Sequence, residues 1–294
     1  MIGVAIGCVC LLTSCIKGDS GDCPESYPRE LRFIYYGNGN TDVFPSHINS
    51  VDLYVFDEQG AYINNYTYTQ GQLNALQGAN LTLPQGNYTI VCWGNVTGLS
   101  TITNDNNLLD TYHLYSTPYL NREHVTDFDS LYYGKHTLAV SGGTNARDTV
   151  YFQSSHINME VYVQGLRTAQ TRAEGDPNGW FAVRSVFAGY DFDMEVTEDL
   201  TDVYPDLVDD TTGEWVMSRF RLFRFRNRND IVLDFYNGEG ELVYVLPLQD
   251  FLATHQINVE GVNEITVPIR VSFEGTNVHV SVAEWDEEVV KPVF

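Results

Sequence analysis

Val51-Asp52-Leu53-Tyr54-Val55-Phe56-Asp57, followed by Glu58-Gln59-Gly60, is the stretch on which the reading of the fold turns. Val51, Leu53 and Val55 alternate with Asp52, Tyr54 and Phe56, the period of two that places successive side chains on opposite faces of a strand. Asp57 to Gly60 then supplies turn residues, so residues 61–69 read as the antiparallel partner. Downstream, Pro84-Gln85-Gly86-Asn87 turns the chain into Tyr88-Thr89-Ile90-Val91-Cys92-Trp93, which is apolar on both faces and therefore suits a central strand. Gly94-Asn95 closes that strand, and the Asn- and Thr-rich residues 101–107 read as a loop. Ser130-Leu131-Tyr132-Tyr133-Gly134 and Asp148-Thr149-Val150-Tyr151-Phe152 complete a first β-sandwich.

A fresh alternating series begins with Met159, Val161 and Val163, which places a boundary near Ser155. Residues 165–179 are polar and rich in Gly and Arg, as in a long surface loop. Ile231-Val232-Leu233-Asp234-Phe235-Tyr236 and residues 242–246 flank Asn237-Gly238-Glu239-Gly240 as a hairpin. Residues 248–256 are the single short helix expected. Ile265, Val267, Ile269, Val271 and Phe273 alternate with polar positions, and Val278, Val280 and Val282 return after a Glu274-Gly275-Thr276 turn. Pro268 cannot donate to a ladder, so its strand is expected at a sheet edge. Arg219, Arg221, Arg224, Arg226 and Arg228 form a basic stripe whose apolar phase slips between Leu222 and Phe223, which predicts a bulge. The economical partner for the stripe is the acidic run from Asp191 to Glu214; the alternative is a basic docking face.

The N-terminus carries a different signal. Residues 2–12 are an apolar run too short to cross a bilayer, which fits the apolar core of a signal peptide. The run ends in Leu12-Thr13-Ser14-Cys15, which resembles the lipobox of bacterial lipoproteins, and this makes Cys15 the expected lipidation site. A basic segment before the run is missing. Residues 1–14 are then a lipoprotein signal peptide and residues 15–28 a lipidated tether. Cys8 and Cys10 leave with the signal, so Cys23 and Cys92 are the one pair available for a disulfide, with two free thiols as the alternative.

About 280 residues remain after Cys15, with 43% hydrophobic content across the chain, enough for two cores. Nineteen tyrosines and fifteen phenylalanines, with many Val, Ile and Thr, favour pleated strands. A formal net charge of −23 excludes nucleic acid and anionic membrane surfaces as partners, since both need a cationic face.

The combination of residues 51–57 and Gly60 with Leu83-Pro84-Gln85-Gly86-Asn87-Tyr88-Thr89-Ile90-Val91-Cys92-Trp93-Gly94-Asn95 and residues 130–134 resembles the FimB-type fimbrillin-anchor family of Bacteroidales. The resemblance implies an all-β chain of two tandem transthyretin-like β-sandwich domains, residues 29–155 and 156–294, behind the signal peptide and tether. It also implies attachment to outer-membrane lipid through Cys15, surface exposure, and a fimbrial stalk subunit as protein partner. Strand exchange is the family's mode of assembly, so the Pro268 strand, residues 31–36 and the tail at residues 289–294 are candidate participants. Arg219, Arg221, Arg224, Arg226 and Pro268 are the candidate docking residues.

No motif for hydrolysis, phosphate binding or zinc occurs after Cys15. His113, His124 and His136 are spaced too widely to fix a metal geometry. The expectation is a non-catalytic protein without cofactor, metal or small-molecule substrate. A fimbrial tip or accessory subunit is the nearest rival, then a surface glycan-binding lipoprotein, for which Trp180, Trp215 and Trp285 are the available platforms, and a secreted hydrolase with an acidic pair.

Overall fold

A computed structural model describes residues 25–142, 146–166, 179–209, 215–274 and 277–283. Cys15, Cys23, Trp285 and the tail at residues 289–294 lie outside the described residues, as does most of the loop expected at residues 165–179. The chain is mostly strand: β1 (Ser26–Ile34), β2 (Val51–Asp57), β3 (Tyr62–Tyr68), β4 (Gly78–Pro84), β5 (Gly86–Gly94), β6 (Ser100–Thr103), β7 (His113–Ser116), β8 (Tyr132–Val140), β9 (Ala146–Ser154) and β10 (His156–Gln164). After these come β11 (Trp180–Phe187), β12 (Gly189–Asp191), β13 (Leu200–Val203), β14 (Val208–Asp209), β15 (Trp215–Phe223), β16 (Val232–Tyr236), β17 (Leu242–Pro247), β18 (Thr266–Glu274) and β19 (Asn277–Val282).

Seven strands form one ladder in the order β3-β2-β5-β8-β9-β1-β4. β8 follows β5 along its whole length, yet it meets β9 only through Tyr132↔Ser154, Tyr133↔Gln153 and Gly134↔Phe152. The ladder therefore folds at that corner into two leaves, and Gln85 alone carries the chain from β4 in one leaf to β5 in the other. Leu31, Phe33, Leu53, Val55, Leu81, Ile90, Cys92, Leu138 and Phe152 fill the space between them, each almost wholly buried. β5 is central, as its two apolar faces require, and Asn95 ends it at φ 59°, a left-handed conformation that asparagine tolerates. Its side chain also accepts from the Asn49 N–H and donates to the His47 carbonyl.

Gly78 closes the β1–β4 pairing opposite Arg32, and a Cβ there would sit 1.9 Å from the Leu31 carbonyl oxygen. The backbone must move to admit any side chain. Gly78→Ala is expected to lower stability by about 2 kcal/mol, read as a fall in the urea midpoint with little change in slope. An unchanged midpoint would mean that β4 is free to shift.

Beyond Ser155, a five-stranded sheet, β14-β15-β10-β18-β19, faces a four-stranded sheet, β13-β11-β16-β17. Phe181 against Phe220, with ring centroids 6.1 Å apart, and Phe235 against Phe273, at 6.0 Å, join the two. β6 and β7 form a third small sheet with β12, so the first half supplies two strands to a sheet completed by the second. The core continues across the same junction: Phe56, Val91, Trp93 and Tyr133 on the outer side of the first sandwich pack in one cluster with Tyr190, Phe192 and Phe223.

Four sequence expectations need correction. The strand of Pro268 is not an edge: β18 lies between β10 and β19, and Pro268 is buried opposite Glu160. No bulge follows Leu222; β15 stays in register with β10 to Phe223↔His156 and ends there, so the phase slip marks a terminus. Residues 101–107 are not all loop, because Thr101, Ile102 and Thr103 pair with β7. Besides the helix expected after residue 248, α4 (Leu248–Thr254), three more short helices occur: α1 (Phe44–His47), α2 (Gln70–Ala75) and α3 (Thr117–Asn121). Local signals mark two of them: Ser116 caps α3, and at the start of α2 the Thr69 N–H donates to the Gln72 side chain at 2.9 Å in a capping box; a search for strand periodicity is blind to such signals.

Candidate docking groove

The basic stripe divides at the end of β15, because a strand of period two gives way there to an irregular segment. Arg219 and Arg221 stay on the sheet. Arg219 pairs with Glu160 on β10 at 2.8 Å, and Arg221 forks onto Asp127, whose Oδ1 also accepts the Arg221 N–H at 2.7 Å. Neither partner belongs to the acidic run at residues 191–214, which corrects the cross-strand account. Glu160 stands between Arg219 and Pro268 in register, so those two candidates share one row of the sheet. Arg219 and Arg221 line a recess of about 390 Å³ with His47, Tyr132, His156 and Glu264. There, burial pushes the His156 imidazole below its ordinary pKa, and its neutral Nδ1–H donates to the Leu131 carbonyl at 3.0 Å.

Arg224 and Arg226 enter a larger groove of about 970 Å³, walled by Phe187, Val196 and Leu200 on one side and by residues 225–231 and 259–263 on the other. Arg224 is a structural floor. Its guanidinium donates to the carbonyls of Val259 and Asn263, each at 2.9 Å, and to that of Val262 at 2.5 Å, while its own N–H donates to the Tyr190 hydroxyl. Burial lowers its pKa from the usual arginine value, and nearby Tyr190, Tyr35 and Glu264 oppose that shift. Asn227 joins the two segments of the second wall, accepting from the Val259 N–H and donating to the Asn258 side chain.

Arg226 and Arg228 are exposed on the rim and have no carboxylate partner among the described residues. Arg32, Arg147, Arg184, Arg219 and Arg221 each pair with a carboxylate, Arg184 most completely. Its guanidinium reaches Asp202 at 2.7 Å, Asp234 at 3.1 Å and the hydroxyls of Tyr204 and Tyr236. Burial disfavours its charge, but these bonds outweigh burial and raise its pKa. Arg184 was not singled out in sequence; its alternation with buried Val183 was the available signal. On the opposite wall, the turn at residues 191–195 is held by Asp191, whose Oδ1 accepts the N–H groups of Asp193 and Glu195. Much of the acidic run is thus used locally: Asp191 in a turn, Asp199 on the Tyr115 and Tyr119 hydroxyls, and Asp202 on Arg184.

The remaining candidates are dispersed. His113 stacks on Tyr115, His124 on Tyr204, and His136 faces Asp148 at 3.5 Å. Among the described residues no group of His, Cys, Asp and Glu is arranged to hold a metal ion, and no helix is long and apolar enough to cross a membrane. Trp180 stacks face to face on Tyr236 with ring centroids 3.9 Å apart, and Arg270 covers Trp215 at 4.9 Å. Both rings already have a partner on one face, which counts against a flat sugar-binding platform. Cys92 is fully buried in the first sandwich, whereas Cys23 lies outside the described residues.

Comparison with known proteins gives the groove its setting. A solved protein provisionally assigned as polysaccharide-binding, from Bacteroides thetaiotaomicron, superposes with a TM-score of 0.70 at 16% identity over 88% of this chain and 99% of that one. A provisionally assigned adhesin from Bacteroides ovatus gives 0.70 at 16% identity over 88% and 95%. The fimbrial anchor protein Mfa2 from Porphyromonas gingivalis gives 0.62 at 17% identity over 86% and 95%. At these identities the likeness concerns the fold. No curated protein matches in sequence. The profile of the fimbrillin-A associated anchor proteins Mfa1 and Mfa2 matches residues 19–291, nearly the whole chain, and the protein therefore belongs to that family.

Proposed function

We infer that the protein is the membrane-anchored base of a fimbria, carrying no catalytic role, with acylated Cys15 holding it in the outer membrane and the stalk subunit seated on its surface. The family match over residues 19–291 carries this reading. From that position it also helps to set the assembly or length of the fimbria. The groove supports a seat for the stalk: Phe187, Val196, Leu200, Phe225 and Ile231 give it apolar surface, Arg224 fixes its floor, and on a rim that also holds Glu195, Asp230 and Glu260, Arg226 and Arg228, without a carboxylate partner among the described residues, offer positive charge to an acidic segment. Exposed charges of this kind steer encounter and fix register more than they add affinity.

Locating the fimbriae of cells that carry Cys15→Ala tests the anchoring. For the groove, the double variant Arg226→Glu with Arg228→Glu is expected to bind purified stalk subunit about tenfold more weakly at low salt, with the difference narrowing as salt screens both proteins. Biolayer interferometry across a salt series measures both quantities. Equal affinity and equal salt dependence in the variant would remove the groove from the docking site and leave the anchoring reading to stand or fall separately.

A further inference from the structure

A sandwich commonly turns polar side chains outward. The outer face of the five-stranded sheet follows this rule, with Arg219 paired to Glu160, Gln164 opposite Ser272 and Arg270 opposite Ser281. The four-stranded sheet departs from it. Trp180 on β11, Tyr236 on β16 and Leu242 on β17 are register partners in one row of its outer face. The row continues through Tyr204, whose ring centroid is 6.1 Å from that of Trp180, to His124, stacked on Tyr204 at 4.8 Å. Val245 stands on the same face opposite Asp234, and Val243 is the residue that the β16 register skips. Leu242 is 52% exposed, Val243 41%, Val245 39% and Trp180 36%, so four of the large apolar side chains left in solvent gather in one corner of one sheet. Contiguous apolar surface of this kind marks a site of association, and Trp and Tyr are the side chains on which the energy of association concentrates.

The rings are held in place in advance. Trp180 lies flat on Tyr236, and Arg184 donates to the hydroxyls of Tyr204 and Tyr236 at 2.9 and 2.8 Å, so a partner has little left to order when it binds. The border of the patch is acidic. Asp202, Asp234, Glu239 and Glu241 stand against the single guanidinium of Arg184, which Asp202 and Asp234 already match, and Glu239 and Glu241 lie exposed in the turn that joins β16 to β17. We propose that this face docks a second protein whose surface has an apolar centre bordered by Lys and Arg, opposite in sign to the segment that the groove accepts. Two copies of this chain would bring like charges together, and a net charge of −23 likewise opposes an anionic lipid surface. The patch lies at the Trp180–Tyr236 end of β11 and β16, whereas the groove takes in Phe187 and Ile231 at the opposite end of those strands, so the two sites are separate.

Photo-crosslinking on the full chain in its own cells tests the proposal, with p-benzoylphenylalanine in place of Leu242 and, as control, in place of the exposed Ser281 on the opposite outer face. The Leu242 position is expected to capture one protein that the Ser281 position does not, through a segment rich in Lys or Arg located by mass spectrometry. Once identified and purified, that protein is expected to bind the Leu242→Ser, Val245→Ser variant about tenfold more weakly. The Glu239→Gln, Glu241→Gln variant is expected to bind it more weakly at low salt alone, and the Arg226→Glu, Arg228→Glu variant to bind it normally. All the substituted side chains are exposed, and unchanged thermal melting separates lost binding from lost folding. Capture no stronger than from Ser281, capture of a second copy of this chain, a contact segment without Lys or Arg, affinity untouched by the two face variants, or equal weakening by the groove variant would each overturn the proposal.

Discussion

Cells carrying Cys15→Ala are expected to release intact fimbriae into the medium, with most of the fimbrial protein moving from the cell fraction to the supernatant. The physical basis is the difference between a lipid anchor and none. Each acyl CH₂ buried in a bilayer contributes about 0.8 kcal/mol, and two chains together give stable attachment where one gives only marginal binding. Without them, among the described residues no helix is long and apolar enough to cross a membrane, and a net charge of −23 opposes adsorption to anionic lipid. The measurement is a sedimentation split of cells and medium, followed by immunoblotting for both this chain and the stalk subunit. Release of the two together supports the base position. Fibres that stay with the cells while this chain appears alone in the medium would sink the anchoring reading and favour the tip or accessory role.

The second large effect is thermodynamic and falls on a residue that sequence placed on a docking face. Arg224→Met is expected to destabilise the protein by about 3 kcal/mol, with Tm lower by roughly 6–12 °C. The methionine side chain has a similar length but leaves the carbonyls of Val259, Val262 and Asn263 without their donor. Buried acceptors deprived of a partner cost more than the bond itself was worth. Those carbonyls shape the wall of the groove, so residues 259–263 are expected to loosen first. Arg226→Met, two residues away on the exposed rim, is expected to change stability by less than about 0.5 kcal/mol. Scanning calorimetry on the two variants separates the roles, and equal effects would show that Arg224 is as superficial as its neighbour.

The strands of β2, β5, β10, β16 and β18 were legible because period-two alternation reports directly on which side chains are buried. Cys92 and Ile90 against Thr89, or Met159 and Val161 against Glu160, carry their own burial pattern. Alternation is silent on which strand lies beside which. Pro268 illustrates the limit: a missing N–H forbids one ladder bond, and an edge strand is the common way to tolerate that. Here β18 pairs in parallel with β10 on one side, while on the other β19 begins its register only at Ile269. The proline sits just where β19 has ended.

The arginine stripe shows the same division. Five arginines, alternating on either side of a one-residue slip, look equivalent while the strand is assumed to continue, but β15 stops at Phe223, and from there each side chain takes its surroundings from another part of the chain. Arg221 meets Asp127, 94 residues away, and Arg224 meets carbonyls 35 to 39 residues on. By itself, then, the sequence determined the all-β class, the main strands and the resemblance to anchor proteins, because these depend on local periodicity and on short motifs. Only the tertiary structure decided that Arg224 supports a groove, that Arg226 and Arg228 stand on its rim without a carboxylate partner among the described residues, and that β17 stands exposed. Each of those facts depends on contacts between segments far apart in the chain, whose closure is set by the packing of both halves around one shared core.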